Sequence, residues 1–155
     1  PVCFALAMSR AAKRRKRNRH CPEATLDPSQ HYCETAEKYH SRQNAKLQGE
    51  LTHIACRLVQ REATESWVLA DLGCGSGLST TQVLKDFPKG FVLGLDISED
   101  MLGIAAREAL PGTKARRDLI RADLKQPLPL RLPVVDSAVS ISALQWLFED
   151  ANGWK

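Results

Sequence analysis

The stretch that most constrains the fold is Trp67 to Thr80, WVLADLGCGSGLST. Trp67, Val68, Leu69 and Ala70 form a short apolar run of the kind that becomes a strand buried on both faces in a parallel sheet. Gly73, Gly75 and Gly77 follow at alternate positions, and a helix can begin at Leu78. Glycines at that spacing let the backbone turn sharply and let a ligand approach the main chain, while the helix points its first amides at the same spot. The pattern predicts a strand, a ligand-binding turn and a helix, which together begin an α/β sheet.

The turn does not carry the dinucleotide spacing, because a third glycine would be needed at position 78, where Leu78 stands. Asp71 at the strand end suits a positively charged amine and would repel a phosphate. A phosphate-free, cationic ligand is expected.

After the turn, Leu78, Val83, Leu84 and Phe87 give one buried helix face, which Pro88 and Gly90 bring to an end. Phe91 to Asp96 reads as a second strand, with Asp96 at its carboxyl end about twenty residues beyond the glycines, where this architecture places a nucleotide's ribose. A carboxylate there can accept from both vicinal hydroxyls, and Ile97 beside it can pack on an adenine face. Ser98 is a good N-cap for a helix that buries Met101, Leu102, Ala105, Ala106 and Ala109 and stops at Pro111-Gly112. Leu119, Ile120 and Ala122 alternate with Arg117, Asp118 and Arg121, which predicts a half-buried outer strand closed by Asp123. A loop with Pro127, Pro129 and Pro133 leads to a fourth strand, Ser137 to Ile141. Ser142, Gln145 and Trp146 then lie beyond its carboxyl end, beside the switch point between the first and fourth strands.

Upstream, Leu47, Leu51, Ile54, Ala55, Leu58 and Val59 recur at helical steps, predicting an amphipathic helix packed on the sheet. Tyr32, Ala36 and Tyr39 suggest a shorter helix before it. The net charge of +4 is concentrated in Lys13, Arg14, Arg15, Lys16, Arg17 and Arg19, so residues 1–28 read as a solvated basic arm and 29–155 as the folded domain. Such a run serves as a nuclear address or as a phosphate-binding tail. The leading apolar residues are too few to span a bilayer, and no membrane segment is expected. Five cysteines without a C-x-x-C pair argue against a disulfide framework and a standard zinc site. His20, Cys21, His31 and Cys33 lack finger spacing, so no metal is expected there either.

The hydrophobic run followed by Asp-Leu-Gly-Cys-Gly-Ser-Gly resembles the nucleotide loop of class I methyltransferases that use S-adenosyl-L-methionine. AEKYHSRQNAKLQGELTHIACRLV, LADLGCGSGLS, LGLDISEDML and AVSISALQWL, in that order, narrow the resemblance to the eukaryotic methyltransferases of ring nitrogen 7 of a guanine in 18S ribosomal RNA. The resemblance implies a Rossmann-like α/β sheet, truncated here after the fourth strand because the chain ends soon afterwards. It implies a cofactor site made of Asp71, Gly73, Gly75, Gly77, Asp96, Ile97, Asp123 and Ser140, with Asp123 at the adenine amino group. Gln145 and Trp146 then fall on the target side, where transfer takes place. It also implies a small zinc-binding activator along the outer strand, ribosomal RNA as the other partner, and a location in the nucleus, nucleolar or nucleoplasmic, with the cytoplasm also open. A serine-rich strand ending in Gln-Trp resembles small-molecule carboxyl methyltransferases too. A non-catalytic cofactor-binding module in ribosome assembly stays open as well.

Overall fold

The computed structural model describes residues 3–7, 42–59, 66–131 and 134–147. In chain order the elements are β1 (Cys3–Ala7), α1 (Arg42–Leu58), β2 (Val68–Leu72), α2 (Leu78–Asp86), β3 (Phe91–Asp96), α3 (Glu99–Arg107), β4 (Arg117–Arg121) and β5 (Ser137–Ile141). The five strands form one sheet in the order β1-β5-β2-β3-β4, and every pairing is parallel. The four strands expected from the sequence are present as β2, β3, β4 and β5. The chain runs outward from β2 to β4 and then returns to the other side of β2, so the topological switch lies between β2 and β5.

Strand alternation divides the apolar residues between two faces. Leu69, Val92, Val139 and Ile141 join Ala55 and Cys56 of α1, Val83 and Leu84 of α2, and Trp67 and Phe87 in one core. Ala70, Leu95 and Ala138 face the other core, covered by Leu124, Leu128 and Leu130 of the irregular loop. Because β5 is buried along its whole length, both of its edges need backbone partners.

That requirement bears on the largest departure from the sequence reading, which placed residues 3–7 in a solvated arm. Cys3 to Ala7 instead pair with Ser137 to Ile141 in register. The remaining residues of the basic arm, the His20–Cys33 cluster and the helix expected around Tyr32 lie outside the described residues.

Two further expectations are corrected. On α1, Leu47, Ile54 and Leu58 are exposed, whereas Gln48, Thr52, Ala55, Cys56 and Val59 are buried. The polar residues tolerate burial because they are bonded: Thr52 Oγ1 donates to the Gln48 carbonyl at 2.6 Å, and Gln48 Nε2 reaches Ser142. On β4, Arg117 is buried rather than solvent-facing. Its guanidinium donates to the carbonyls of Ala105 and Ala106 at the end of α3, where a cation satisfies orphan acceptors and opposes the helix dipole.

Candidate functional site

The cavity lies beyond the carboxyl ends of β2, β3 and β5, at the switch point. The space between its walls, with the open solvent at its mouth included, is about 750 Å³. Gly73 and Gly75, Asp96 and Ile97, Asp123, and Trp146 line it, so residues far apart in sequence converge there. Gln48, Ser79, Met101, Leu124, Lys125 and Ser142 complete much of the wall.

The glycine turn is held from behind. Gly73 N and Cys74 N both donate to the Leu95 carbonyl, at 2.8 and 2.9 Å. All three turn glycines have positive φ, but the space that each leaves goes to protein rather than to ligand alone. A Cβ on Gly73 would collide with Ala143, and one on Gly77 would stand 3.0 Å from the Ala105 Cβ. Gly77 therefore serves close packing of α2 on α3, and it does not line the cavity.

Asp96 is the carboxylate that the cavity presents. Gly75 N donates to Oδ2 and Ser98 N to Oδ1, each at 2.8 Å, so the acid is clamped between the glycine turn and the start of α3. Burial pushes its pKa up from the ordinary value, and the main-chain amides of Ser98, Gly75 and Ile97 oppose that rise. On the neighbouring wall, Asp123 Oδ1 accepts from Lys125 N at 2.9 Å, and the Ile97 carbonyl accepts from Arg121 Nε at 3.3 Å.

Asp71 is placed differently from the expectation of a ligand-facing acid. It is completely buried beneath the turn and does not line the cavity. Oδ2 accepts from Ser79 Oγ and Thr80 Oγ1, both at 2.7 Å, while Oδ1 has no hydrogen-bond partner among the described residues. Burial pushes its pKa up to about 6 despite the two hydroxyl donors, and the charge of Asp96 adds to the rise.

Ser140 and Gln145 also turn away from the cavity. Ser140 Oγ donates to the Leu72 carbonyl at 2.9 Å and so fastens the end of β5 to β2. Gln145 Nε2 donates to the Ser142 carbonyl at 2.7 Å, which fixes the turn after β5. Trp146, by contrast, is mostly buried with part of its surface in the cavity wall. Gln48, Ser79, Leu124 and Lys125 are among the lining residues that the sequence reading missed, and for Gln48 the periodicity of α1 gave no signal, because it assigned the inward side to Leu47, Ile54 and Leu58.

A family model described as a methyltransferase domain matches residues 69–153, from the glycine turn through the β5 region. The chain belongs to the methyltransferase domain family. The chain is 39% identical over 129 residues to 18S rRNA (guanine-N(7))-methyltransferase RID2 of Arabidopsis thaliana, covering 81% of the chain and 42% of that protein. It is 34% identical over 111 residues to trans-aconitate 2-methyltransferase of Acidovorax sp. strain JS42, covering 72% of the chain and 36% of that protein. The chain thus spans less than half the length of these curated relatives. A SAM-dependent methyltransferase structure from Aquifex aeolicus matches with a TM-score of 0.59 at 20% identity, over 80% of this chain and 61% of that one, and shows the same fold.

Proposed function

We propose that the cavity of this methyltransferase holds S-adenosylmethionine and that the chain serves methylation of ring nitrogen 7 of a guanine in 18S ribosomal RNA. The observation that carries the cofactor reading is the clamped carboxylate of Asp96 at the cavity wall. Each carboxylate oxygen has two lone-pair directions, and Gly75 N and Ser98 N take one on Oδ2 and one on Oδ1, which leaves acceptor capacity for a pair of vicinal hydroxyls. Asp71, whose Oδ1 has no hydrogen-bond partner among the described residues, places negative charge behind the turn, which favours a ligand carrying an ammonium and a sulfonium. The donor set therefore fits the cofactor.

In this reading Asp96 holds the ribose, Ile97 packs on the adenine and Asp123 accepts from its amino group. Gly73 and Gly75 offer main-chain contact, while Asp71 and Ser140 act from behind the wall. The cofactor supplies an electrophilic methyl group. A ring nitrogen already carries a lone pair, so the chain needs no general base; its work is alignment, worth about 7 to 11 kcal/mol in favourable cases. Trp146 provides a flat surface for the target base, and Gln145 holds the turn that carries Ser142.

The similarity to the plant 18S rRNA enzyme extends over more of the chain than that to the trans-aconitate enzyme, which supports RNA over a small acid. The basic run near Lys13 supports a nucleic-acid partner and a nuclear location. A small zinc-binding activator would pair along the outer edge of β4, which is terminal in the described sheet.

Calorimetric titration of S-adenosylhomocysteine into the purified chain tests the cofactor reading. Saturable binding that Asp96→Ala abolishes supports it, and absence of binding to a folded sample refutes it. Trp146→Ala should leave this binding intact and impair transfer to RNA; loss of cofactor binding in that variant would contradict the target-side role. Methyl transfer to RNA but not to small carboxylic acids separates the two substrate readings, and no transfer to either favours a non-catalytic module.

A further inference from the structure

Ser142 has φ +59°, and among the described residues no other non-glycine residue has a positive φ. Such a conformation is costly for a residue with a Cβ and persists where surrounding contacts impose it. Here the contacts are two glutamine amides. Gln145 Nε2 donates to the Ser142 carbonyl at 2.7 Å, and Gln48 Nε2 donates to its Oγ over a longer 3.5 Å. Both oxygens of Ser142 therefore accept. The hydroxyl proton has no acceptor among the described residues, although Ser142 lines the cavity between Ile141 and Ala143 and near Trp146.

We infer that Ser142 is a substrate-recognition donor, whose hydroxyl reads a carbonyl oxygen placed beside the nucleophilic ring nitrogen. This rests on the guanine reading given above. On a guanine the acceptors N7 and O6 lie on one edge, whereas adenine presents an amino donor in place of O6. With Gln48 turning an amide hydrogen toward Oγ, the serine proton is left for the cavity. An O6 atom satisfies it, and an exocyclic amino group meets it donor to donor. A donor set in a mostly apolar wall discriminates because an unmatched polar group is left unsatisfied on binding. Gln48 and Gln145 are positioning residues, acting through Ser142.

The test uses the full chain saturated with S-adenosylhomocysteine and two probes, guanosine 5′-monophosphate and the riboside monophosphate of 2-aminopurine, which keeps N7 but lacks O6. Calorimetry should show the guanine nucleotide binding about tenfold more tightly. In Ser142→Ala, measured at saturating S-adenosylhomocysteine, the two affinities should converge. Ser142→Gly, which relieves the backbone strain, should show the same convergence and so separates donor loss from misfolding. Guanine selectivity that survives both substitutions overturns the donor assignment while leaving the guanine reading intact. Loss of S-adenosylhomocysteine binding in both variants places Ser142 on the cofactor and also overturns it. Failure of guanosine 5′-monophosphate to bind the loaded wild-type chain overturns the guanine reading and this inference together.

Discussion

Asp71 and Asp96 stand near the carboxyl ends of adjacent strands, yet one is sealed beneath the glycine turn and the other faces the cavity. Asp71 is held by two side-chain hydroxyls from the first turn of α2 and keeps one oxygen without a partner among the described residues. Asp96 is held by main-chain amides, with Gly75 N on one oxygen and Ser98 N on the other. Side-chain donors can be deleted one at a time, whereas main-chain donors go only when the turn itself goes. The difference makes Asp71 a buried charge whose protonation responds to its surroundings, and Asp96 a fixed acceptor facing the cavity.

The largest expected effect follows from the second role. Asp96→Ala should weaken S-adenosylhomocysteine binding about a hundredfold or more, because a charged acceptor shared by two hydroxyls is lost. Asp71→Asn keeps the oxygen that accepts from Ser79 and Thr80 and sits outside the cavity wall, so its effect on affinity should stay below about tenfold. Calorimetry on both variants checks the contrast. Equal losses would erase the distinction between the two acids.

The next effect is on stability and pH. With its folded pKa raised from 3.8 to about 6, Asp71 binds a proton more readily in the folded state than in the unfolded one. Its contribution to stability is therefore fully present below about pH 3.8 and is lost as pH rises through 6. The difference across that window is on the order of 3 kcal/mol. Asp96 is also raised, so it acts in the same direction. Urea melts at pH 4.5 and 7.5 should show the wild-type chain gaining stability from this term on acidification, and Asp71→Asn losing most of that gain. An unchanged pH slope in the variant would mean that Asp71 is ionised over the whole range.

Much of this contrast was legible in the sequence, and the illegible part has a physical cause. The acid about twenty residues after the glycines marked Asp96, because strand and helix lengths in such a unit fix where the second strand ends. Its clamp was partly legible too, since Ser98 reads as a helix cap and one donor is that residue's own amide. The seal on Asp71 was not, because it depends on Ser79 and Thr80 pointing back under the turn, and periodicity does not tell a buried hydroxyl from an exposed one. The same ambiguity hid Gln48 and Thr52 on the inward side of α1 and Arg117 on β4: bonded polar residues occupy places that an apolar pattern assigns to others. β1 escaped for a different reason. Five apolar residues carry no period of their own, and their place is defined by the fully buried β5 more than a hundred residues away.

The smallest effect is also the sharpest discriminator between side-chain and main-chain holding. Thr80→Val removes one donor from Asp71 at nearly constant shape, and the acid's pKa should rise above its present value of about 6. The cost should be on the order of 1 to 2 kcal/mol at pH 7.5, where the carboxylate loses a charge-assisted bond, and smaller at pH 4.5, where the acid is neutral. Ser98→Ala is the matching change at the other acid. It removes the cap that accepts from Met101 N at 3.3 Å, at a cost of about 1 kcal/mol, but leaves the Ser98 amide on Asp96. Its cost should therefore be the same at both pH values, with S-adenosylhomocysteine affinity unchanged within about twofold. A pH-dependent cost in Ser98→Ala, or a pH-independent one in Thr80→Val, would show that the two carboxylates are not separated by the kind of donor that holds them.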